Sequence, residues 1–289
     1  MRMLWSTVAA VCLNLTPSSF ADKSKPEPEL SLEAHWATQP VFKTPESVLY
    51  DAGRQVLYVS NINGGPLDKD GNGFISKLSL SGEVETLEWI SGLDGPKGMA
   101  LWNDQLFVAD ISQIVVIDLI SEKIVARHEL GGEFLNDLTV SPDGSIFASD
   151  SSTNTIYKLD NGQALPLIQR ADLGRPNGLL FVDQHLLVAS VNNGSVLFLD
   201  TTTYEIQKEV ATGGRPDGIV NIPPHGQIVT SWDGEIFYVD PFGQADSILD
   251  FKAQGVNTAD LEYVPDQELV VIPTFFDNRV ITFKVRFGG

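Results

Sequence analysis

Five polar side chains occupy one place in copies of a short motif: Glu46 in TPES, Lys97 in GPKG, Asn136 in FLND, Asn177 in RPNG and Asp217 in RPDG. A sixth copy, NTAD, puts Ala259 there. Glu46, Asn177 and Asp217, with Asn136 beside them, offer carboxylate and amide oxygens. Calcium takes about six to eight such hard ligands. The set is therefore a candidate site for Ca2+ or another divalent cation, with magnesium competing where the site is small and keeps several waters. No sulfur belongs to it, and His35, His128, His185 and His225 fall outside the motif register, which argues against a zinc centre of the nitrogen and sulfur type. The alternative is that the Asn and Asp side chains cap turns. A purely structural repeat, however, tends to carry one small residue or one recurring cap at such a position.

The elements that must position these residues come from the repeat itself. The second motif residues, Pro45, Pro96, Leu135, Pro176, Pro216 and Thr258, are separated by 51, 39, 41, 40 and 42 positions, a period that suits one four-stranded blade. About ten residues after each motif runs an apolar, β-branched segment: QVLYVS, QLFVAD, SIFASD, HLLVAS, QIVTSW and ELVVIP. A third set follows, including ISKLSL, IVVIDL and SVLFLD, and then a more polar fourth set such as KIVARHEL. The last copy ends after three strands, while LEAHWATQPVF from Leu32 stands unassigned before the first. The expectation is an all-β, six-bladed β-propeller of four-stranded blades, closed by an N-terminal strand that supplies the missing outer one and leaves no free edge. A β-sandwich, the competing architecture, does not require this recurrence. In such a ring the motif position points toward the mouth of the central channel.

Composition limits the partners. The chain of 289 residues carries a formal charge of −19, so nucleic acid, which demands a basic face, is not an expected partner, and an anionic membrane surface is disfavoured. Residues 1–21, with Arg2, an apolar stretch from Met3 to Leu15 and small residues at Ser19 and Ala21, read as a signal peptide, leaving 22–289 as a single propeller domain in the periplasm or outside the cell. The only cysteine, Cys12, lies in that segment, so the mature chain forms no internal disulfide. There is no G-x-S-x-G elbow and no phosphate-cradling glycine loop. The NGS at Asn193 reads as a hairpin turn.

PES at Pro45, ND at Asn136, PNGL at Pro176 and PDGI at Pro216, in this order and at blade spacing, resemble the senescence marker protein, regucalcin and gluconolactonase group across nearly the whole mature chain. That resemblance implies that Glu46, Asn177 and Asp217 bind a divalent cation, that Asn136 meets metal-side water or substrate, and that Asp217 is the general base in lactone hydrolysis. One departure is evident. Where family lactonases usually carry arginine two residues before the channel asparagine, this chain has Phe134, which offers no fork of donors and shifts the expected small-molecule substrate toward a more apolar lactone or ester. Lys97 either replaces that cation in the catalytic set or neutralises Glu46. A reading from a different class is a non-catalytic propeller resembling the NHL type that binds a ligand or a protein partner; nothing in the residues identifies such a protein. The longer first repeat contains Asp68, Asp70, Asn72 and Gly73, the opening of an EF-hand-type calcium loop, but its twelfth position is Ser79 instead of glutamate. A glycine-rich turn or a lid over the channel mouth is the other reading.

Overall fold

A computed structural model describes residues 30–288 other than 161, so the expected signal segment lies outside the described residues. The motif copies each open one four-stranded antiparallel sheet, and the six sheets form a six-bladed β-propeller. Blade 1 comprises Pro45–Asp51, Val56–Asn61, Gly73–Ser79 and Val84–Leu93 from the channel outward. The innermost strands of the next blades are Pro96–Trp102, Leu135–Val140, Pro176–Val182, Pro216–Ile222 and Glu262–Val264. Second strands are buried throughout their apolar runs, as in Val56–Asn61, whereas the outer strand Lys123–Glu129 alternates between exposed and half-buried residues. That gradient follows from burial on both faces near the axis and water at the rim.

The apolar core does not sit on the axis. Among the described residues six clusters each fill the wedge between two adjacent blades, with a seventh, small one of Ile62, Ala259 and Phe275 at the cavity; Leu187, Val196 and Val210 of blade 4, for example, meet Ile219, Val229 and Phe237 of blade 5. The channel mouth is thereby left to polar side chains, while inner-strand residues such as Val48, Met99, Leu138, Leu179, Ile219 and Leu261 line a second cavity.

Ring closure follows the expected scheme. Strand Leu30–Ala37 pairs antiparallel with Val280–Phe287, beginning at Leu30 against Phe287, and completes blade 6 as its outer strand. Trp36 donates its backbone N–H to Thr282 Oγ1 at 3.1 Å and its ring Nε1–H across to the Leu80 carbonyl of blade 1 at 3.2 Å. The closing strand is thus held by both blades that it separates.

Adjacent blades are also stitched along the channel wall. Asp137 of blade 3 accepts the Leu179 N–H of blade 4 at 2.6 Å, and Glu262 of blade 6 accepts the Tyr50 N–H of blade 1 at 3.1 Å. Asp260 accepts the Ser47 hydroxyl of blade 1 at 2.6 Å. Asp137 and Asp260 fit because the preceding blades present Gly98 and Gly218, where any Cβ would collide with those carboxylates. Desolvation raises Glu262 to about 7 and Asp260 to about 6, against the opposing pull of their hydrogen bonds.

Two outcomes are expected. Leu30→Ala, at a fully buried position of the closing strand, lowers unfolding free energy by about 3 kcal/mol, read as a lower urea midpoint. Because Glu262 holds a proton in the folded state that the unfolded chain has already released between pH 4.5 and 7, its contribution to stability falls as pH rises through that window, by at most about 1.4 kcal/mol per pH unit. Urea titrations across this range should show a shallower decline for Glu262→Gln than for the wild type.

Candidate functional site

Each site residue is aimed by a break in strand pairing. In blades 1 to 5 the innermost strand pairs at its first residue and again at its fourth, so that 46–47, 97–98, 136–137, 177–178 and 217–218 bulge away from the second strand. A bulge re-aims its side chain, here into the channel mouth. Hydroxyls answer the N–H groups that it frees in three of the blades. In blades 1, 3 and 5, those of Ser47, Asp137 and Gly218 donate to hydroxyls of Ser60, Ser149 and Thr230 at 2.9 to 3.0 Å. Ser149 and Thr230 then donate to the Asn177 and Ala259 carbonyls of the following blades at 2.7 Å.

The last side chain of the second strand fixes the loop that carries the motif. Asn61 accepts the Lys43 N–H, Asp110 that of Gly95, Asp150 that of Glu133, and the Ser231 hydroxyl that of Arg215, at 2.7 to 3.0 Å.

All five expected residues converge on one cavity of about 320 Å³: Glu46, Lys97, Asn136, Asn177 and Asp217 line its floor. Three buried oxygens there, Glu46 Oε2, Asn136 Oδ1 and Asp217 Oδ1, have no hydrogen-bond partner. Asn136 is oriented by its amide nitrogen, which donates to Ser151 Oγ at 3.0 Å and leaves the carbonyl oxygen turned elsewhere. Burial, and then the charges of Asp217 and Asp260, hold Glu46 well above the usual carboxylate range; burial and Asp260 do the same to Asp217. Buried acceptors without donors are costly unless something electropositive meets them. The donor set is two carboxylates and two amides, hard oxygen chemistry that fits a divalent cation. Among the described residues no three His, Cys, Asp or Glu side chains form a metal-holding group, so such a site depends on its asparagines.

Lys97 lines the cavity beside Glu46, and each feels the other's charge. It makes no ion pair with Glu46 among the described residues; its ammonium donates to the Pro66 and Gly95 carbonyls at 3.0 and 2.8 Å and lies 4.8 Å from the Phe134 ring centre. Burial pulls it down to about 8, opposed by the negative charges of Glu46 and Asp110. Ala259 is apolar for a packing reason, since it supports Ile62 and Phe275 above it.

The upper wall was not anticipated. Arg175 and Arg215 stand two residues before Asn177 and Asp217, the register that holds Phe134 in blade 3, so cations absent from one blade are present in the next two. Ile62, Val191 and Trp232 directly follow the second strands of their blades, and Phe275 and Phe276 come from the equivalent stretch of blade 6. Aligning the repeats two residues upstream of the ring exposes the arginines, and one beyond the second strand exposes Ile62, Val191 and Trp232 but not Phe275 or Phe276. The long loop of blade 1 contributes Gly64 and Pro66 to the cavity wall. Its calcium-loop reading fails, because Gly73–Ser79 is strand and Ser79 pairs with Val56. Asp68 and Asp70 instead accept the N–H groups of Gly65 and Asn72 at 3.1 Å as turn caps.

The chain matches no protein-family model and no curated protein in sequence. Solved structures are similar in shape. A streptogramin B lyase structure superposes with TM-score 0.64 at 13% identity, over 90% of this chain and 97% of the other. A virginiamycin B lyase from Staphylococcus aureus, inactivated by a histidine-to-alanine change and bound to quinupristin, gives 0.61 at 14% identity over 89% and 99%. The WD40 propeller domain of Doa1 gives 0.62 at 14% identity over 82% and 77%. The likeness is one of fold. None of this chain's four histidines lines the cavity.

If the orphan oxygens hold a cation, calcium at about a hundredfold above its Kd raises Tm by about 5–10 °C over the EGTA-treated protein. Asp217→Asn abolishes most of that rise, while its calcium-free form melts no lower than wild type, since a buried unpaired charge is gone. Scanning calorimetry reads both.

Proposed function

We propose that the protein is a hydrolase that opens a small lactone or related ester at the mouth of its central channel, using calcium or another divalent cation held by Glu46, Asn177 and Asp217. The supporting observation is the convergence of three unpaired buried oxygens, from Glu46, Asn136 and Asp217, on one cavity. When bound, the cation supplies a Lewis acid for the substrate carbonyl and offsets the two carboxylates.

The chain's own groups account for the remainder. Asp217 would hold the cation through its unpaired Oδ1 and take the proton of the attacking water on Oδ2. Asn136 Oδ1, fixed through Ser151, accepts the other hydrogen of that water and orients it. Lys97 has spent two of its three donors on carbonyls, and the third faces the oxyanion that develops as the ester carbonyl is attacked. Phe134, Trp232 and Phe276 keep bulk water from the floor.

Screening a panel of five- and six-membered lactones and aryl esters with calcium present tests this reading. Asp217→Asn is expected to lower turnover of the best substrate by about 10²- to 10⁴-fold. If the wild type binds calcium but hydrolyses nothing on the panel, the hydrolase assignment fails and a ligand-binding propeller becomes the better account.

A further inference from the structure

The cavity has electrical direction. Its floor carries Glu46 and Asp217, and its rim carries two guanidinium groups brought together by the same register of adjacent blades 4 and 5. Arg215 is half committed: its Nε and Nη2 both donate to Asp233 Oδ1, at 2.9 and 2.6 Å. Arg175 is not. Among the described residues its side chain makes no hydrogen bond or ion pair, although the chain holds 38 acidic residues against 19 lysines and arginines. Its backbone, by contrast, is tightly held: the N–H donates to Asn154 Oδ1 at 2.7 Å and the carbonyl accepts from Val191, with φ at +63°. A fixed backbone with a free guanidinium presents a fork of donors at a set place.

Beside this cationic side stands an aromatic corner: the Trp232 N–H donates to the Arg215 carbonyl at 2.9 Å. Trp232, Phe275 and Phe276 meet edge to face, with ring centres 4.5 to 6.1 Å apart, and Phe276 remains 65% exposed with no packing demand that explains it. An exposed aromatic face beside a cavity offers a flat apolar surface to a ligand.

We propose that this cavity takes a monoanionic ligand with a flat apolar body: a carboxylate held at the rim by Arg175 with Arg215 beside it, the body against Trp232 and Phe276, and an uncharged carbonyl end directed to the floor. One free positive charge matches one negative charge, because Asp233 already answers most of Arg215. With no cation on the floor, Glu46 and Asp217 disfavour the anion there and the rim orientation is favoured, so binding is measured in EGTA. This rests on the cavity being the ligand site of the proposed hydrolase and names its substrate class: a carboxylated aryl or alkyl lactone or ester.

The test is a calorimetric comparison of 3-phenylpropionate and its uncharged amide, 3-phenylpropionamide, on the full-length protein, the Arg175→Gln and Phe276→Ser variants, and Asp217→Asn. Gln is compatible with this backbone, since Gln55 adopts φ +56° in the same chain. The expected result is saturable binding of the carboxylate to wild type, at least tenfold weaker in Arg175→Gln and unchanged or tighter in Asp217→Asn. The amide should bind wild type at least tenfold more weakly than the carboxylate, and Phe276→Ser should weaken the carboxylate several-fold. Equal affinity for acid and amide, indifference to Arg175→Gln, or no binding of the acid by wild type overturns the proposal. Carboxylate binding that follows Arg175 upholds it even if no lactone or ester is hydrolysed, in which case only the hydrolase reading falls.

Discussion

The break in pairing at the second and third residues of the inner strands is the constraint on which the remainder of the molecule depends. Without it the ring side chains would alternate along a regular strand, and their orientation would be set by the pleat. With it, five side chains turn together toward one mouth, at the expense of backbone donors that have lost their ladder partners. Ser60, Ser149 and Thr230 satisfy three of those donors, and two of these hydroxyls pass the bond on to the next blade. The site's geometry and the cohesion between blades thus share the same few hydroxyl groups. Loss of one would therefore disturb both.

Placing the apolar cores between blades makes a polar channel mouth tolerable. Glu46 and Asp217 are buried, but both line a cavity wide enough to accept a partner for their unpaired oxygens. Deeper in the channel the situation differs. Asp137, Asp260 and Glu262 also lie inside, but each is answered by an N–H or hydroxyl of the adjacent blade. Similar carboxylates are structural where they are saturated and chemically available where they are not.

Sequence legibility followed the strength of the repeat. Six motif copies at blade spacing were enough to give the architecture, the closing strand before the first copy, and all five polar residues of the cavity floor, because period and register are properties of the chain. The upper wall was harder to read. Arg175 and Arg215 were visible as the first letters of RPNG and RPDG, yet their importance emerges only when adjacent blades are seen to share one rim. Phe134 looked like the loss of a cation; in three dimensions it carries Lys97 on its ring, and the cations stand one and two blades further on. Residues such as Phe276 belong to a turn whose path no periodicity specifies. The Asp68 loop misled for the opposite reason, since a local pattern of acids matched a known loop while the strand pairing of Ser79 with Val56 excluded it.

Ring closure by Leu30–Ala37 bears on how the molecule forms. The bonds between Trp36 and Thr282 join residues 246 positions apart, so the last blade waits for almost the whole chain before its final strand can dock. Until then Val280–Phe287 has an unpaired edge, and the wedge that receives Leu30 stands open to water. Contacts of such long separation slow folding and prolong the lifetime of an open, edge-exposed intermediate. The join between the two chain ends is therefore the step at which folding and self-association compete, and the residues that hasten that docking govern how much protein reaches the closed ring.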